Sequence, residues 1–547
     1  MLRRSLSLFT ALLLCLAGAT TAQVPAKSPA RIPAATPQEQ RAIRAFTAAA
    51  KTSPLELTAF LARMPKGGDL HMHLSGSIYA ETFIKNGAAD ILCVNPSLSF
   101  FKPKATTMSL PPQPVCGEGN QRASDAFKDQ HLYDSLIDSF SMRSFVPSAG
   151  ISGHDQFFAT FARFGAIDKS HVPEWLDEVA TRAAAQNEQY LEIMETPIFA
   201  DVAKLSETIP WPSTPVDPAM NRTGDATGTT REDLSKLRDA LLAGGLRDEV
   251  AIDRKQLDDA LETRNQIENC GQPSASAACS VKIRFLYQVL RGFPPQQVFA
   301  QTVLAFEVAS QDPRVVGLNF VMPEDGYMAM SEYHRQMLML DYLHSVYPKV
   351  HISLHAGELA PGLVPPDGLR FHIREAIDLG HAERIGHGVD VMYENEPQAL
   401  LKEMADRHIM TEINLTSNDV ILGVTGVWHP LPAYRAAGVP VALSTDDEGV
   451  SRINLTHEYA RAALDFNLGY LDLKKMARTS LEHSFLPGAS LWQERDNFIR
   501  INSACASQPL GAENPAPKCL EFLRSSEKAA EQWLLEHRYQ IFETSLP

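Results

Sequence analysis

The chain predicts an α/β fold: a (β/α)8 barrel of the TIM type, with insertions after strands one and two and an appended C-terminal helix. Three observations predict it. From about Gly67 onward, short apolar and often β-branched runs alternate with stretches of helical periodicity. There are eight such runs. Several helical stretches end at stop signals, such as Leu379-Gly380 and Ala437-Gly438. Strands alternating with helices pair in parallel through right-handed crossovers, and eight such units favour a closed barrel over an open sheet.

The expected strands are Asp69–Leu74, Tyr190–Met194, Val281–Tyr287, Val315–Val321, Val350–Leu354, Arg384–His387, Met410–Asn414 and Val439–Leu443. Between them Val298–Ser310, Ser331–Val346, Leu369–Leu379 and Pro397–Arg407 carry helical periodicity. Two intervals are too long for simple crossovers, 85–150 and 200–280. Both are rich in Pro and Gly, and the second holds a charged helical part around Asp233–Asn269. They read as insertions on one barrel spanning 61–495, not as separate domains. In the first, Phe100, Phe101, Leu132 and Phe140 suit either a cover over the barrel mouth or a dimerisation surface, so a homodimer is compatible with the sequence. The tail, 496–547, reads as a loop and a helix near Ser526–Phe542.

Ahead of the barrel, Met1-Leu2-Arg3-Arg4 precedes an apolar stretch from Leu6 to Ala17 and then small residues to Ala22. This is the layout of a secretory signal peptide cleaved near Ala22; the run is shorter than the roughly 20 residues a spanning helix needs. Residues 23–60 read as an Ala/Pro-rich linker and a helical segment. The expected location is therefore exported, periplasmic or extracellular, with no membrane contact after cleavage. Six cysteines remain beyond Cys15, in three sequence-local pairs. Six cysteines allow fifteen pairings; the local set, Cys93–Cys116, Cys270–Cys279 and Cys505–Cys519, is the expected one in an oxidising compartment, the alternative being six unrelated thiols.

The 547 residues are 44% hydrophobic and 21% charged, which is globular composition. A formal charge of −15 without a long basic run gives no electrostatic footprint for nucleic acid or an anionic membrane.

The chemistry-bearing residues fall at expected strand ends. In Gly67-Gly68-Asp69-Leu70-His71-Met72-His73, residues two apart in a strand point to one face, so His71 and His73 project together. Such a pair alone is a weak signal. Three further strand ends carry His355-Ala356-Gly357-Glu358, Gly386-His387-Gly388 and Thr445-Asp446-Asp447. Taken singly, His355 reads equally as a core histidine, His387 as a rim histidine, Glu358 as a first-turn helix carboxylate and Asp446-Asp447 as a solvated turn. In a barrel, however, C-terminal strand ends converge on one site. His71, His73, His355 and Asp446 then form a nitrogen/oxygen set suited to Zn²⁺. A zinc-bound water has its pKa lowered from about 15.7 to about 7, and such a site needs a base and an acid: His387 is the candidate base and Glu358 the candidate acid. Asp447 is placed to hydrogen-bond substrate. The chemistry is metal-assisted hydrolytic attack on an sp² carbon.

In order, the segments MPKGGDLHMHLSGS, VVGLNFV, LHAGE, ERIGHG, TEINLTSND and STDDEG resemble the adenosine deaminase family of the metal-dependent amidohydrolases over roughly residues 62–470. The leader and extra segments resemble its secreted, growth-factor-like branch. The resemblance implies one zinc per chain on His71, His73, His355 and Asp446, and Glu358 as the acid that protonates purine N1. It implies His387 as the residue that orients and deprotonates water, and Asp447 as a contact to purine N7. Adenosine would become inosine and ammonia. Asn319 stands where binuclear relatives carry lysine, which favours one metal. Three departures bear on substrate rather than chemistry: Ser75 in place of the aspartate that holds the ribose 5′-hydroxyl, Met322 in place of a glycine whose N–H meets purine N3, and Glu448 in place of a proline. The expected ligand is a small purine nucleoside, adenosine or 2′-deoxyadenosine. The alternatives are another 6-aminopurine (adenine, or a 5′- or N6-modified adenosine) and a non-catalytic extracellular binding or growth-factor-like protein.

Overall fold

Eight parallel strands carry the architecture: β1 (Gly67–His73), β2 (Glu188–Glu195), β3 (Lys282–Leu290), β4 (Val315–Val321), β5 (His351–Ala356), β6 (Arg384–His387), β7 (Met410–Ile413) and β8 (Val441–Leu443). Each pairs with the next in chain order. Beyond β8 the chain returns to β1: Met72 bridges Asp446, the His73 N–H donates to Asp446 O at 3.1 Å, and the Asp446 N–H donates to His71 O at 2.8 Å. The barrel therefore closes where three candidate ligands lie, His71, His73 and Asp446. The computed structural model describes residues 35–105, 114–195, 197, 200–211 and 229–547. The expected signal peptide, 1–22, and most of the expected linker lie outside the described residues.

All eight expected strands are present, and the differences at their ends have local causes. β3 runs on past Tyr287 because the polar Gln288 has a buried partner in His73. β8 starts at Val441, since Pro440 has no N–H for the ladder. β5 continues to Ala356, so His355 sits on the strand rather than after it.

Helices cover the outside of the barrel. The ones that bear on the site are α1 (Gly153–Phe164), α2 (Val172–Ala185), α3 (Arg247–Ile267), α4 (Pro295–Gln311), α5 (Tyr333–Val346) and α6 (His372–Asp378). The charged stretch expected as one helical part is two helices, Arg231–Leu241 and α3. Gly244-Gly245 separates them, with Gly245 at φ 121°. The expected C-terminal helix is Glu527–Ser545, preceded by a helix at Pro517–Ser525 that the sequence reading left as loop.

In the first insertion, Cys93–Val94 pairs antiparallel with Phe100–Phe101 and with Gln121–Arg122. Phe100, Leu132 and Phe140 are buried, and the Phe100 and Phe140 rings meet edge-on at 4.8 Å. These side chains serve the insertion's own packing. The three disulfides are Cys93–Cys116, Cys270–Cys279 and Cys505–Cys519, the local set.

Part of the barrel interior is polar. Arg384 on β6 pairs with Glu192 on β2 at 2.7 Å and with Glu412 on β7 at 2.6 Å, all fully buried, and its guanidinium lies 3.9 Å from the Phe485 ring centroid. Buried charges survive only when paired in this way. Glu412 is the member that reaches up to the site.

Candidate active site at the strand ends

His71 and His73 share a face of β1, and both are buried. Their Nδ1 atoms are both occupied by acceptors: His71 donates to Glu412 Oε2 at 2.6 Å and His73 to Gln288 Oε1 at 2.5 Å. On β5, His355 Nδ1 donates to Asn319 Oδ1 at 2.8 Å. Donation from Nδ1 leaves the lone pair on Nε2, and all three Nε2 atoms turn to one point. His73 Nε2 lies 3.2 Å from His355 Nε2 and 3.2 Å from Asp446 Oδ1; His71 Nε2 lies 3.4 Å from the same oxygen. His71 Nε2 has no hydrogen-bond partner. Bare imidazole lone pairs facing one another and a carboxylate call for a cation between them, so the donor set fits a metal ion. Ligand atoms of His71, His355, His387 and Asp446 all fall within 4.8 Å of one another, as do those of His73, Asp446 and Asp447.

Electrostatics agree with this fit. Burial works to raise Asp446, but His387, His71 and His73 outweigh it and hold the carboxyl well below its usual range. Burial, with His71, His73 and His387 acting in the same direction, holds His355 well below the ordinary imidazole value. At His71 burial is overcome by Asp446 and Glu412, which lift it to about 10; the same two carboxylates would compensate a metal cation. Asp446 is fixed further by the Ser417 hydroxyl, which donates to Oδ2 at 2.5 Å. It also adopts φ 60°, and His387 φ 68°. A left-handed backbone at a non-glycine costs on the order of 1–3 kcal/mol and clusters at functional sites.

His387 lies on β6 between two groups, with Nε2 3.8 Å from Asp446 Oδ2 and Nδ1 3.6 Å from Glu358 Oε1. The Asn418 amide donates to its Nδ1 at 2.9 Å, and Asn418 Oδ1 in turn accepts from His429 at 3.0 Å. Burial drives His387 down to about 3, so it is neutral at pH 7. Glu358 moves the other way: burial first, then Asp446 and Glu324, push its carboxyl well above the usual range. A carboxyl and an imidazole shifted in opposite directions side by side are the arrangement that acid–base chemistry uses. Close approach is permitted by missing side chains. A Cβ on Gly386 would stand 2.6 Å from His71 Cε1, and one on Gly76 would stand 1.5 Å from Asp447 Oδ1.

These groups line one end of a cavity of ≈450 Å³ into which His73, His355, Glu358, Asp446 and Asp447 all face. Asp447 Oδ1 has no protein partner, and burial lifts its carboxyl to about 7. Ser75 and Met322 line the same cavity. Met322 keeps a glycine-like backbone at φ 87°, and its thioether lies over Gly292. The other wall is apolar: Phe157, Phe158, Phe161 and Ala162 from α1, with Leu290 and Val321. A second cleft, ≈390 Å³, shares none of these residues. Glu448 is not among the residues that line the cavity; it is buried against Arg182 at 2.7 Å.

Every site residue named from the sequence is therefore brought to one place. The sequence reading missed the groups that orient them, Gln288, Glu412 and Asn418, and the aromatic wall. A polar residue inside the run Arg284-Phe285-Leu286-Tyr287-Gln288-Val289-Leu290 and the phenylalanines of Gly153–Phe164, spaced one, three and four apart, were the available signals.

Residues 257–496 match the family model described as adenosine deaminase. That stretch, rather less than half of the chain, is similar to the family. The chain is 36% identical over 135 residues to an adenosine deaminase of Clostridium perfringens, covering 24% of this chain and 37% of that one. It is 37% identical over 137 residues to one from Escherichia coli strain SE11, covering 25% and 38%. The chain thus spans little more than a third of the length of these family members. Its fold is also that of an amidohydrolase from Burkholderia ambifaria crystallised with bound zinc: TM-score 0.51, 14% identity, 90% of this chain and 94% of that one.

Proposed function

We propose that the protein is a zinc-dependent hydrolytic deaminase of a 6-aminopurine nucleoside, converting adenosine or 2′-deoxyadenosine to the inosine form and ammonia. One observation carries the reading: the Glu358 carboxyl and the His387 imidazole stand 3.6 Å apart beside the metal-suited donor set at one end of the cavity. His71, His73, His355 and Asp446 would hold one zinc ion, which supplies Lewis-acid activation of water at neutral pH. The chain's own residues do the rest. Glu358 donates its proton to ring N1, making C6 electrophilic. His387, braced by Asn418, orients the attacking water and takes its proton on the imidazole. Asp447, whose Oδ1 has no protein partner, donates its carboxyl proton in a hydrogen bond to purine N7. The apolar wall of α1 excludes water and holds the flat base. The three disulfides and the leader read at residues 1–22 support action in an exported, oxidising compartment.

Among the described residues that line this cavity there is no lysine or arginine, which favours an uncharged nucleoside over a nucleotide. Ser75 and Met322 favour a second reading in which a modified 6-aminopurine is preferred. Ammonia release from adenosine, 2′-deoxyadenosine, adenine, AMP and a 5′-modified adenosine decides between them. Turnover led by the plain nucleosides supports the first reading, turnover led by another aminopurine the second, and release from none refutes both.

A further inference from the structure

Next to Glu358 lies a buried carboxylate that the reaction does not use. Glu324 follows β4 and is 1% exposed. Its Oε2 accepts the Glu358 N–H at 2.8 Å, and its Oε1 accepts the Gly357 N–H at 3.1 Å and His372 Nδ1 at 2.5 Å. The Arg291 guanidinium lies 3.9 Å away. Arg291 itself donates to His355 O at 3.1 Å and to Met322 O at 3.2 Å and 3.3 Å. The other side of the same peptide is also held, since Gly357 O accepts the N–H of Val389 at 2.7 Å and of Asp390 at 3.2 Å. Gly357 turns the chain at φ 74°. The direction in which Glu358 leaves that turn is thus set by a carboxylate bound to two consecutive amides.

We infer that Glu324 is a positioning residue for the catalytic acid: it clamps the Gly357–Glu358 turn to β3, β4 and α6 and so aims the Glu358 carboxyl at His387. The inference rests on the proposed role of Glu358. Only an acceptor fits the position, because every neighbour of the carboxylate is a donor: two backbone N–H groups, an imidazole N–H and a guanidinium. An amide would set its NH₂ against one of them. Burial opposes a charge on Glu324, but His372, Arg291 and the Gly357 N–H outweigh it and draw the group down to about 2, so the clamp is charged at working pH.

The test is Glu324→Gln in the full chain, read by kcat, KM, metal content and site-resolved amide exchange. The expected result is a kcat loss of at least 30-fold with KM within threefold and metal content unchanged. Exchange at the Gly357 and Glu358 amides should quicken at least tenfold, while the His355 amide, bonded to Asn319 Oδ1 at 3.0 Å, stays protected. Unchanged kcat and protection would overturn the inference, and so would a loss of activity that tracks loss of metal. Should that variant fail to fold, Glu324→Asp keeps the charge and withdraws it by one methylene; wild-type kcat and protection there overturn the inference equally. A wild type that deaminates no aminopurine refutes the role of Glu358, while amide exchange still decides whether Glu324 holds the turn.

Discussion

The two ends of the cavity are built on different principles. At the polar end each side chain is held by a second one beneath it: His71 by Glu412, His73 by Gln288, His355 by Asn319, His387 by Asn418. Glu412 runs on into the buried Arg384–Glu192 pair. Geometry there is over-determined, as a site that must match a transition state requires. At the apolar end, the phenylalanines of α1 are held by packing alone, on a helix in the long connection between β1 and β2. On the proposed function, one end sets the reaction and the other sets which molecule enters.

The sharpest way to break this division is at Glu358. Glu358→Gln removes the proton donor and leaves the metal-suited set intact, so kcat should fall by about 10³-fold, in the range of lost general-acid catalysis. Single-turnover kinetics with metal analysis check it; loss of metal instead would mean that Glu358 is a ligand.

A pH experiment probes the support beneath that end. Glu324 falls from an ordinary 4.5 to about 2 in the folded chain. A carboxyl with a depressed folded value stabilises fully above its unfolded value and loses that contribution as pH falls from about 4.5 to about 2. The contribution is on the order of 3 kcal/mol. Denaturant titrations across that window should show a steeper acid loss in the wild type than in Glu324→Gln.

Gln288→Ala leaves all four candidate ligands in place but frees the His73 ring. Metal affinity should drop by roughly 10–100-fold, as for other partners of metal-bound histidines, measured by competition with a chelator. Phe161→Ala should act on the opposite end: KM for the nucleoside rises by about tenfold, the cost of one lost aromatic contact, with kcat nearly unchanged. Ser75→Ala is the smallest perturbation, a change of about threefold or less in kcat/KM for adenosine, since a neutral hydroxyl contributes on the order of 0.5–1.5 kcal/mol at most.

What the sequence made legible follows the same division. The eight strands could be read because buried parallel strands are short apolar runs with helices between them, and the chemical residues because they cluster in short motifs at strand ends. Disulfide pairing was readable from sequence proximity. The supporting groups were not. Gln288, Asn319 and Asn418 act across strands, and nothing local distinguishes them from polar residues on a surface. Glu324 sits in the stretch Pro323-Glu324-Asp325-Gly326, where nothing local points to Gly357, 33 residues on. The aromatic wall was hidden for another reason: α1 lies just past the interval marked as an insertion, and a helix rich in phenylalanine reads as ordinary core. Phe100 and Phe140 drew the attention that Phe157, Phe158 and Phe161 required.

The most direct test of the central claim is a spectrophotometric assay of adenosine conversion by the purified protein, with and without a zinc chelator. The account predicts conversion to inosine, abolished by the chelator and restored by Zn²⁺. Chelator-insensitive conversion, or no conversion by a zinc-loaded sample, would contradict it.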